Sequence, residues 1–342
     1  MNQIIEASHL SPDSLTKTTK PIQVPGLDQV RIRIKYTTFT MNDIQKITGR
    51  YYQKKSFPLI PGYEIVGIID AIGDVTTPTT YKIGDRVAVT VQEGGLQQYI
   101  NWDIHKLILV PDELPEKVAV RLILPFATAH MLIHKVAKVQ PNESVYINGA
   151  SGSVGTALVL LLKLIPGVKI YGTCSASKFE SLRLNGVYPI DYKSDDIYTK
   201  IQQATNNQGV DVSFDAISGN TFCISHNVLK TGGRCIGFGI FQPNVNPTIS
   251  LAHTIGTTIL EKIKSLWTNK TSTFYSIEDD YINASEEVLK VIHTVFQLAV
   301  QGDLTLPDVD VTLFDNAMEV YPKFLDGSAS GLVVIQIFNP TD

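Results

Sequence analysis

Cysteine is scarce. The 342-residue chain has three, Cys174, Cys223 and Cys235, in no metal-binding or redox spacing, so they read as reduced residues in or near the core of a cytoplasmic protein. The N-terminus, MNQIIEASHL, lacks the basic segment and long apolar run of a secretory signal. No apolar run approaches the ~20 residues that a bilayer crossing requires. The best candidate, residues 157–165, is interrupted by Lys163 and stopped by Pro166, so no membrane contact is expected. Excess basic charge is also missing. A net charge of −4 and a pI near 6.0 argue against nucleic acid or an anionic membrane as the main partner. Repeats and low-complexity linkers are absent. His130 and His134 share a helical face, but no carboxylate or third ligand accompanies them, so they read as structural.

What is present is core material. Apolar residues make up 44% and charged residues 18%, enough for two domains or one large one. The first third reads as β-rich. Residues 30–36 alternate apolar and basic, residues 65–72 and 86–91 are strand-like, and Gly62, Gly73 and Gly84 mark corners, the pattern of a small barrel. Residues 119–136 read as one long helix. Strands then alternate with helices as far as residue 238, which calls for a parallel sheet with helices on both faces. Residues 285–301 form a further helix, with Ser285 as its cap and Gly302 just beyond its end. The last strand, 331–338, is expected to return to the N-terminal domain.

The most informative stretch is 145–155, a buried strand, a small-residue turn and a helix start. Its spacing is Ala150-x-Gly152-x-x-Gly155. Such a turn brings backbone N–H groups, including those of Ser153 and Val154, to a pyrophosphate at the positive end of the helix. Gly155 lets the helix pack close to its strand. An NAD site usually adds an acid about 20 residues on, to bond the ribose hydroxyls. Here that region reads 171-YGTCSASK-178, with no carboxylate at the strand end. Ser175 and Lys178 are suited to a 2′-phosphate, and Tyr192 to covering it, which favours NADP(H). For Lys178 alone the plainer reading is a solvated helix lysine.

GASGSVG, YGTCSASK, NGVYPIDY, GVDVSFDAISG and GGRCIGFG follow in this order. Asp43-x5-Gly49-x-Tyr51, Ile60-Pro61-Gly62-Tyr63-Glu64-x-x-Gly67 and Gly84-Asp85-Arg86-Val87 precede them. Over nearly its whole length the chain resembles the medium-chain dehydrogenase/reductase superfamily. The resemblance implies a GroES-like β-rich catalytic domain, residues 1–124 and 285–342. It also implies a Rossmann-type doubly wound parallel-sheet domain, residues 125–284, with the cofactor across the cleft.

The zinc enzymes of that superfamily carry their metal ligands where this chain has Thr40, Tyr63 and Leu124. Thr and Tyr hydroxyls are poor zinc ligands at neutral pH and Leu is none, so no metal is expected. The resemblance narrows to the zinc-free quinone oxidoreductase-like branch with its enone and enoyl reductases. It implies an NADPH-dependent, zinc-independent reductase that passes hydride to a quinone or α,β-unsaturated carbonyl, or alternatively to an enoyl thioester. A low-turnover NADPH-binding sensor or RNA-binding protein is the reading of another class.

Tyr51 then stands near the acceptor as a hydrogen-bond or proton donor, or else packs at the domain edge. Thr40 replaces a common Asn, a role that Asn42 is placed to take over. Tyr63 is expected to line the cleft. Thr128 and Phe238-Gly239-Ile240 are expected near the nicotinamide, Gly239 permitting close approach. Leu332 replaces a lysine that often reaches the cofactor. Lys46, Arg50, Lys54 and Lys55 cluster near Tyr51, either as a solvated loop or as a basic mouth for a phosphopantetheine or nucleotide tail. Look-alikes commonly dimerise through the nucleotide domain, so a homodimer is expected.

Overall fold

Alternation of apolar and charged residues along one strand organises the first part of the molecule. In this computed structural model, which describes residues 1–51, 53–239, 251–265, 267–283, 285–308, 311–325 and 331–338, the chain divides into two compact units. One is Met1–Ala127 with Asn283–Asp342, the other Thr128–Ile282. Tyr52 and Ile240 lie outside the described residues.

The first unit begins with β1 (Asn2–Ala7), β2 (Leu15–Lys20), β3 (Gln29–Thr40), α1 (Met41–Ile47), β4 (Glu64–Ile72), β5 (Arg86–Thr90), β6 (Tyr99–Asp103) and β7 (Ile108–Leu109). Val30, Ile32 and Ile34 of β3 are fully buried, while Arg31 between them donates to Asp70 on β4 at 2.8 Å. This two-residue period gives the sheet one core face. β3 pairs antiparallel with both β4 and β6, and β1 with β2 forms a separate hairpin.

Helices α2 (Glu116–Leu122) and α3 (Leu124–Met131) follow, with a π-turn at Leu132–Val136. One continuous helix was the expectation for 119–136. The break falls at Ile123, whose ψ is −89°, immediately before the Leu124–Pro125 step. Pro125 has no N–H to continue the ladder and its ring disfavours helical backbone before it. By length and composition Glu116–Val136 would span a bilayer, but 67% of that window is buried inside the protein.

The second unit contains β8 (Ser144–Asn148), α4 (Ser153–Leu162), β9 (Lys169–Cys174), α5 (Phe179–Leu184), β10 (Val187–Asp191), α6 (Ile197–Ala204), β11 (Val210–Asp215), α7 (Asn220–Asn227), β12 (Leu229–Gly237), α8 (Leu251–Ser265), β13 (Thr271–Phe274) and α9 (Ile277–Asn283). The strand order is β10-β9-β8-β11-β12-β13, with every pairing parallel. This is the doubly wound dinucleotide order, whose direction reverses between β8 and β11. β12 had been expected to be the last parallel strand. The sheet instead continues to β13, a short, mostly exposed strand with little apolar pattern.

The chain then returns to the first unit with α10 (Ser285–Val300), β14 (Val311–Leu313), α11 (Val320–Leu325) and β15 (Leu332–Gln336). β15 pairs antiparallel with β3, and the sheet order is β14-β15-β3-β4-β5-β7. Gly302 stops α10 region with φ +84°, the left-handed value that favours glycine.

Gly62 precedes β4 with φ +100°, and a Cβ there would lie 2.6 Å from Gly95 Cα. Gly62→Ala therefore incurs both backbone strain and a clash with backbone. We expect it to cost roughly 2–4 kcal/mol, measured as a lowered urea midpoint. An unchanged midpoint would contradict this account.

Candidate functional site

The glycine turn lies at the C-terminal end of β8, beside the reversal of strand order. Gly149 adopts φ +87°, its N–H donates to Thr173 Oγ1 at 2.8 Å, and the N–H of Ala150 donates to the Thr173 carbonyl at 2.9 Å. Thr173 Oγ1 donates in turn to Asn148 Oδ1 (2.9 Å), and Asn148 Nδ2 to Asp215 Oδ2 (3.1 Å). Asp215 is fully buried and also accepts from Ser225 Oγ and from the N–H groups of Ile217 and Ser218. A closed polar network thus fixes the turn from below.

The glycines differ in what they do. A Cβ on Gly155 would lie 2.2 Å from the Gly149 carbonyl oxygen, whereas one on Gly152 would stand 3.3 Å from the same atom. Gly155 is therefore demanded by the packing of α4, and Gly149 by its backbone. Gly149 falls outside the Ala150-x-Gly152-x-x-Gly155 spacing. Gly152 precedes α4 in extended conformation, so the amides of Ser153, Val154 and Gly155 form the helix's first turn.

The C-terminal ends of the neighbouring strands carry the other expected residues. Ser175 follows β9, and its hydroxyl lies 3.0 Å from that of Ser177. Lys178 ends the short 3-10 turn after it and is half-buried. Tyr192 follows β10, half-exposed, its N–H 3.4 Å from the Cys174 carbonyl. Asp191, beside Cys174 in register, turns its carboxylate to its own loop, accepting from the N–H of Lys193 and from Ser194 Oγ. Phe238 and Gly239 follow β12. The N–H of Phe238 donates to the Asp215 carbonyl, and Ser218 Oγ donates to the Gly239 carbonyl. One sheet edge thus gathers Ala150 to Gly155, Ser175, Lys178, Tyr192, Phe238 and Gly239. Thr128 is carried by α3 and is buried. The rings of His130 and His134 stand 4.4 Å apart, and burial with the neighbouring ring lowers the His130 pKa to about 4.

The first unit holds a buried charged cluster. Thr40 caps α1, its N–H (2.8 Å) and hydroxyl (3.0 Å) both donating to Asp43 Oδ2. Asp43 Oδ1 accepts from the N–H of Gly62 at 2.9 Å. Lys46, one helical turn on, is 1% exposed. Its ammonium donates to the Gln92 carbonyl and sits 4.3 Å from the Tyr63 ring centroid and 5.1 Å from that of Tyr51. Glu64 is equally buried and accepts from Thr38 Oγ1. Burial, and then the neighbouring Asp43 carboxylate, push the Glu64 pKa well above the carboxylate range, while Lys46 opposes the shift. Burial raises Asp43 as well, against Lys46 and its hydrogen-bond donors.

Tyr63 is fully buried beneath Lys46. Asn42 is half-buried on α1, and Leu332 is buried on β15 opposite Thr40. Tyr51 lines a cavity of about 700 Å³ within this unit, together with His9, Leu10, Phe57, Lys46, Lys54 and Lys55. The lysines near Tyr51 are thus partly structural walls: Lys46 is buried, and Lys55 pairs with Glu93 at 2.7 Å. Among the described residues no group of three or more His, Cys, Asp or Glu is disposed to hold a metal.

A β-rich unit joined to a six-stranded dinucleotide-type sheet defines the class, that of a two-domain dehydrogenase or reductase fold. The family model "Alcohol dehydrogenase GroES-like domain" matches residues 26–112, and "Zinc-binding dehydrogenase" matches residues 153–290. The human synaptic vesicle membrane protein VAT-1 homolog is 31% identical over 228 residues, 66% of this chain and 57% of that protein. The chain therefore spans little more than half the length of that relative. A probable quinone oxidoreductase of Schizosaccharomyces pombe is 28% identical over 239 residues, 70% of this chain and 71% of its own length. The fold matches the Escherichia coli quinone oxidoreductase complexed with NADPH, with a TM-score of 0.84 at 21% identity over 98% of this chain and 100% of that one. The chain belongs to the medium-chain dehydrogenase/reductase superfamily and is similar in sequence and fold to its quinone oxidoreductases.

Glu64 yields a signed prediction. Its folded pKa lies above the ordinary 4.5, so its contribution to stability is complete below that pH and is lost as pH rises through the folded value. Glu64→Gln removes that loss. Urea unfolding from about pH 4 to pH 8 should show the variant gaining on the parent as pH rises. A pH-independent difference would count against a protonated Glu64.

Proposed function

We propose that the chain is an NADPH-dependent, zinc-independent reductase that delivers hydride to a quinone or an α,β-unsaturated carbonyl. The observation that carries this reading is the β8–α4 turn at the reversal of strand order. There Gly155 admits only hydrogen against the Gly149 carbonyl, and the first amides of α4 follow an extended Gly152. The amides of Ser153 to Gly155 would hold the pyrophosphate. Ser175, Lys178 and Tyr192 would hold the 2′-phosphate, since no carboxylate ends β9 and Asp191 faces its own loop. Thr128, Phe238 and Gly239 would border the nicotinamide, which supplies hydride when bound. The relatives named quinone oxidoreductases agree with reductase chemistry.

Zinc independence is supported by the residues at the family's ligand positions. Thr40 caps α1 and Tyr63 is packed under an ammonium, so neither offers a ready metal ligand. Orientation and proton supply then fall to this chain's side chains, Tyr51 first, with Thr40 and Asn42 on the neighbouring helix. A second reading, an enoyl thioester as acceptor, is favoured by Lys54 and Lys55 standing in the wall of the cavity that Tyr51 lines. Their charge suits a phosphate-bearing tail.

Lys178→Ala is expected to weaken NADPH binding roughly tenfold or more, the scale of one charge-assisted hydrogen bond, and to leave NADH binding unchanged. Titration of both cofactors by fluorescence checks this, and equal losses would remove Lys178 from the 2′-phosphate. NADPH consumption with chelator present, on a quinone, a medium-chain enal and a crotonyl thioester, selects the acceptor. Failure on all three at saturating NADPH would count against the reductase reading.

A further inference from the structure

Two ammonium groups stand over one tyrosine ring. Lys46 Nζ lies 5.1 Å and Lys55 Nζ 5.3 Å from the centroid of the Tyr51 ring, and all three residues line the same cavity. We propose that Lys46 and Lys55 hold Tyr51 as an acidic phenol and thereby make it the proton donor to the reduced acceptor. This rests on the reductase reading above.

Both cations are fixed in place. Lys46 is anchored on the Gln92 carbonyl, inside the cluster that includes Asp43 and Glu64, and Lys55 on Glu93, which also stands 4.0 Å from Lys46. The titratable or charged groups facing this corner are Lys46, Asp43 and Glu64 from α1 and β4, Tyr63 before β4, and Glu93 from the loop after β5. His9, Lys54 and Lys55 come from the cavity wall. Two of the ammonium groups stand over the Tyr51 ring, and a positive charge held that close favours a phenolate over a phenol.

The proton step balances. Hydride brings an electron pair to the acceptor and leaves it anionic. The Tyr51 O–H bond breaks, an O–H or C–H bond forms on the acceptor, and the two ammonium groups hold the resulting phenolate until water returns a proton. Lys46 and Lys55 are positioning residues, because they act through Tyr51. Lys46 is too buried to meet the acceptor itself, its side chain having 0% exposure.

The test needs neither cofactor nor acceptor. Tyrosinate absorbance near 295 nm is titrated for the native chain and for Tyr51→Phe, and the difference isolates Tyr51. We expect Tyr51 to titrate below the ordinary ~10. Lys55→Met, at a partly exposed side chain, should raise that value by about one unit, and Lys46→Arg, which keeps the charge, should leave it near the native value. Turnover of Lys55→Met should show the same displacement in the alkaline limb of kcat, with acceptor KM little changed. A Tyr51 that titrates at or above 10, or one unmoved by Lys55→Met, would overturn the proposal. An acidic Tyr51 in a chain that reduces no acceptor would support the charge tuning and overturn the reductase reading on which its use depends.

Discussion

The nucleotide-fold unit depends on one close approach, that of Gly155 to the carbonyl of Gly149. A methyl group there would sit 2.2 Å from that oxygen, so α4 could not pack where it does. Because the helix lies this close, its first amides follow directly from the end of the central strand. The turn keeps its shape through hydrogen bonds among three strand ends, its own and two others. Thr173 on β9 accepts from Gly149, Asn148 ends β8, and Asp215 at the end of β11 collects donors from the loop and helix beyond it. Since Asp215 also receives the N–H of Phe238 on its carbonyl, the strand ends that would border a dinucleotide are tied to one buried residue. A buried network of this kind is rigid because every member is satisfied.

Unit one is organised by charge. The superfamily resemblance places a metal near Thr40 and Tyr63 in the zinc enzymes. Here the residues around those positions are two buried carboxylates and a buried ammonium, Asp43, Glu64 and Lys46. The hydroxyl of Thr40 is turned to Asp43, and the ring of Tyr63 lies against Lys46. The chain thus supplies its own cation, held on a helix one turn from its counter-ion and capped by two aromatic faces. Burial and the neighbouring Asp43 raise the Glu64 pKa, which lowers the cost of placing a second carboxylate in the cluster.

What could be read from the sequence was whatever is local. The strand–turn–helix of 145–155 is a short contiguous signal, as are the alternation in β3 and the stop of α10 at Gly302. Those features sit where their residues predict. Gly149 escaped because the motif spacing is counted between other glycines, while its left-handed backbone is set by a hydrogen bond to Thr173, 24 positions away in the chain. β13 escaped because its four residues carry almost no apolar period. The helix break at Ile123 was signalled by Pro125 but hidden inside a long apolar stretch. Lys46 was least legible. In the sequence it belongs to a run of basic residues that resembles a solvated loop, and its burial exists only once β4 and the loop at Gln92 close over α1.

That burial bears on what the cluster is for. Removing a lysine and two carboxylates from water costs several kcal/mol per ion before any attraction is counted, and well-packed apolar residues of the same volume commonly hold a fold as well or better. A stability argument alone therefore accounts poorly for Lys46. Apolar replacements would lack a fixed potential in the wall of a cavity beside a phenol. Perturbed, buried titratable groups next to a cavity are the usual mark of a working site. Here the potential falls on Tyr51, whose ring receives Lys46 on the core side of the cavity and Lys55 from its wall. The fold tolerates the cost of this cluster where a carbonyl acceptor that has gained an electron pair would need a positive surrounding and a proton.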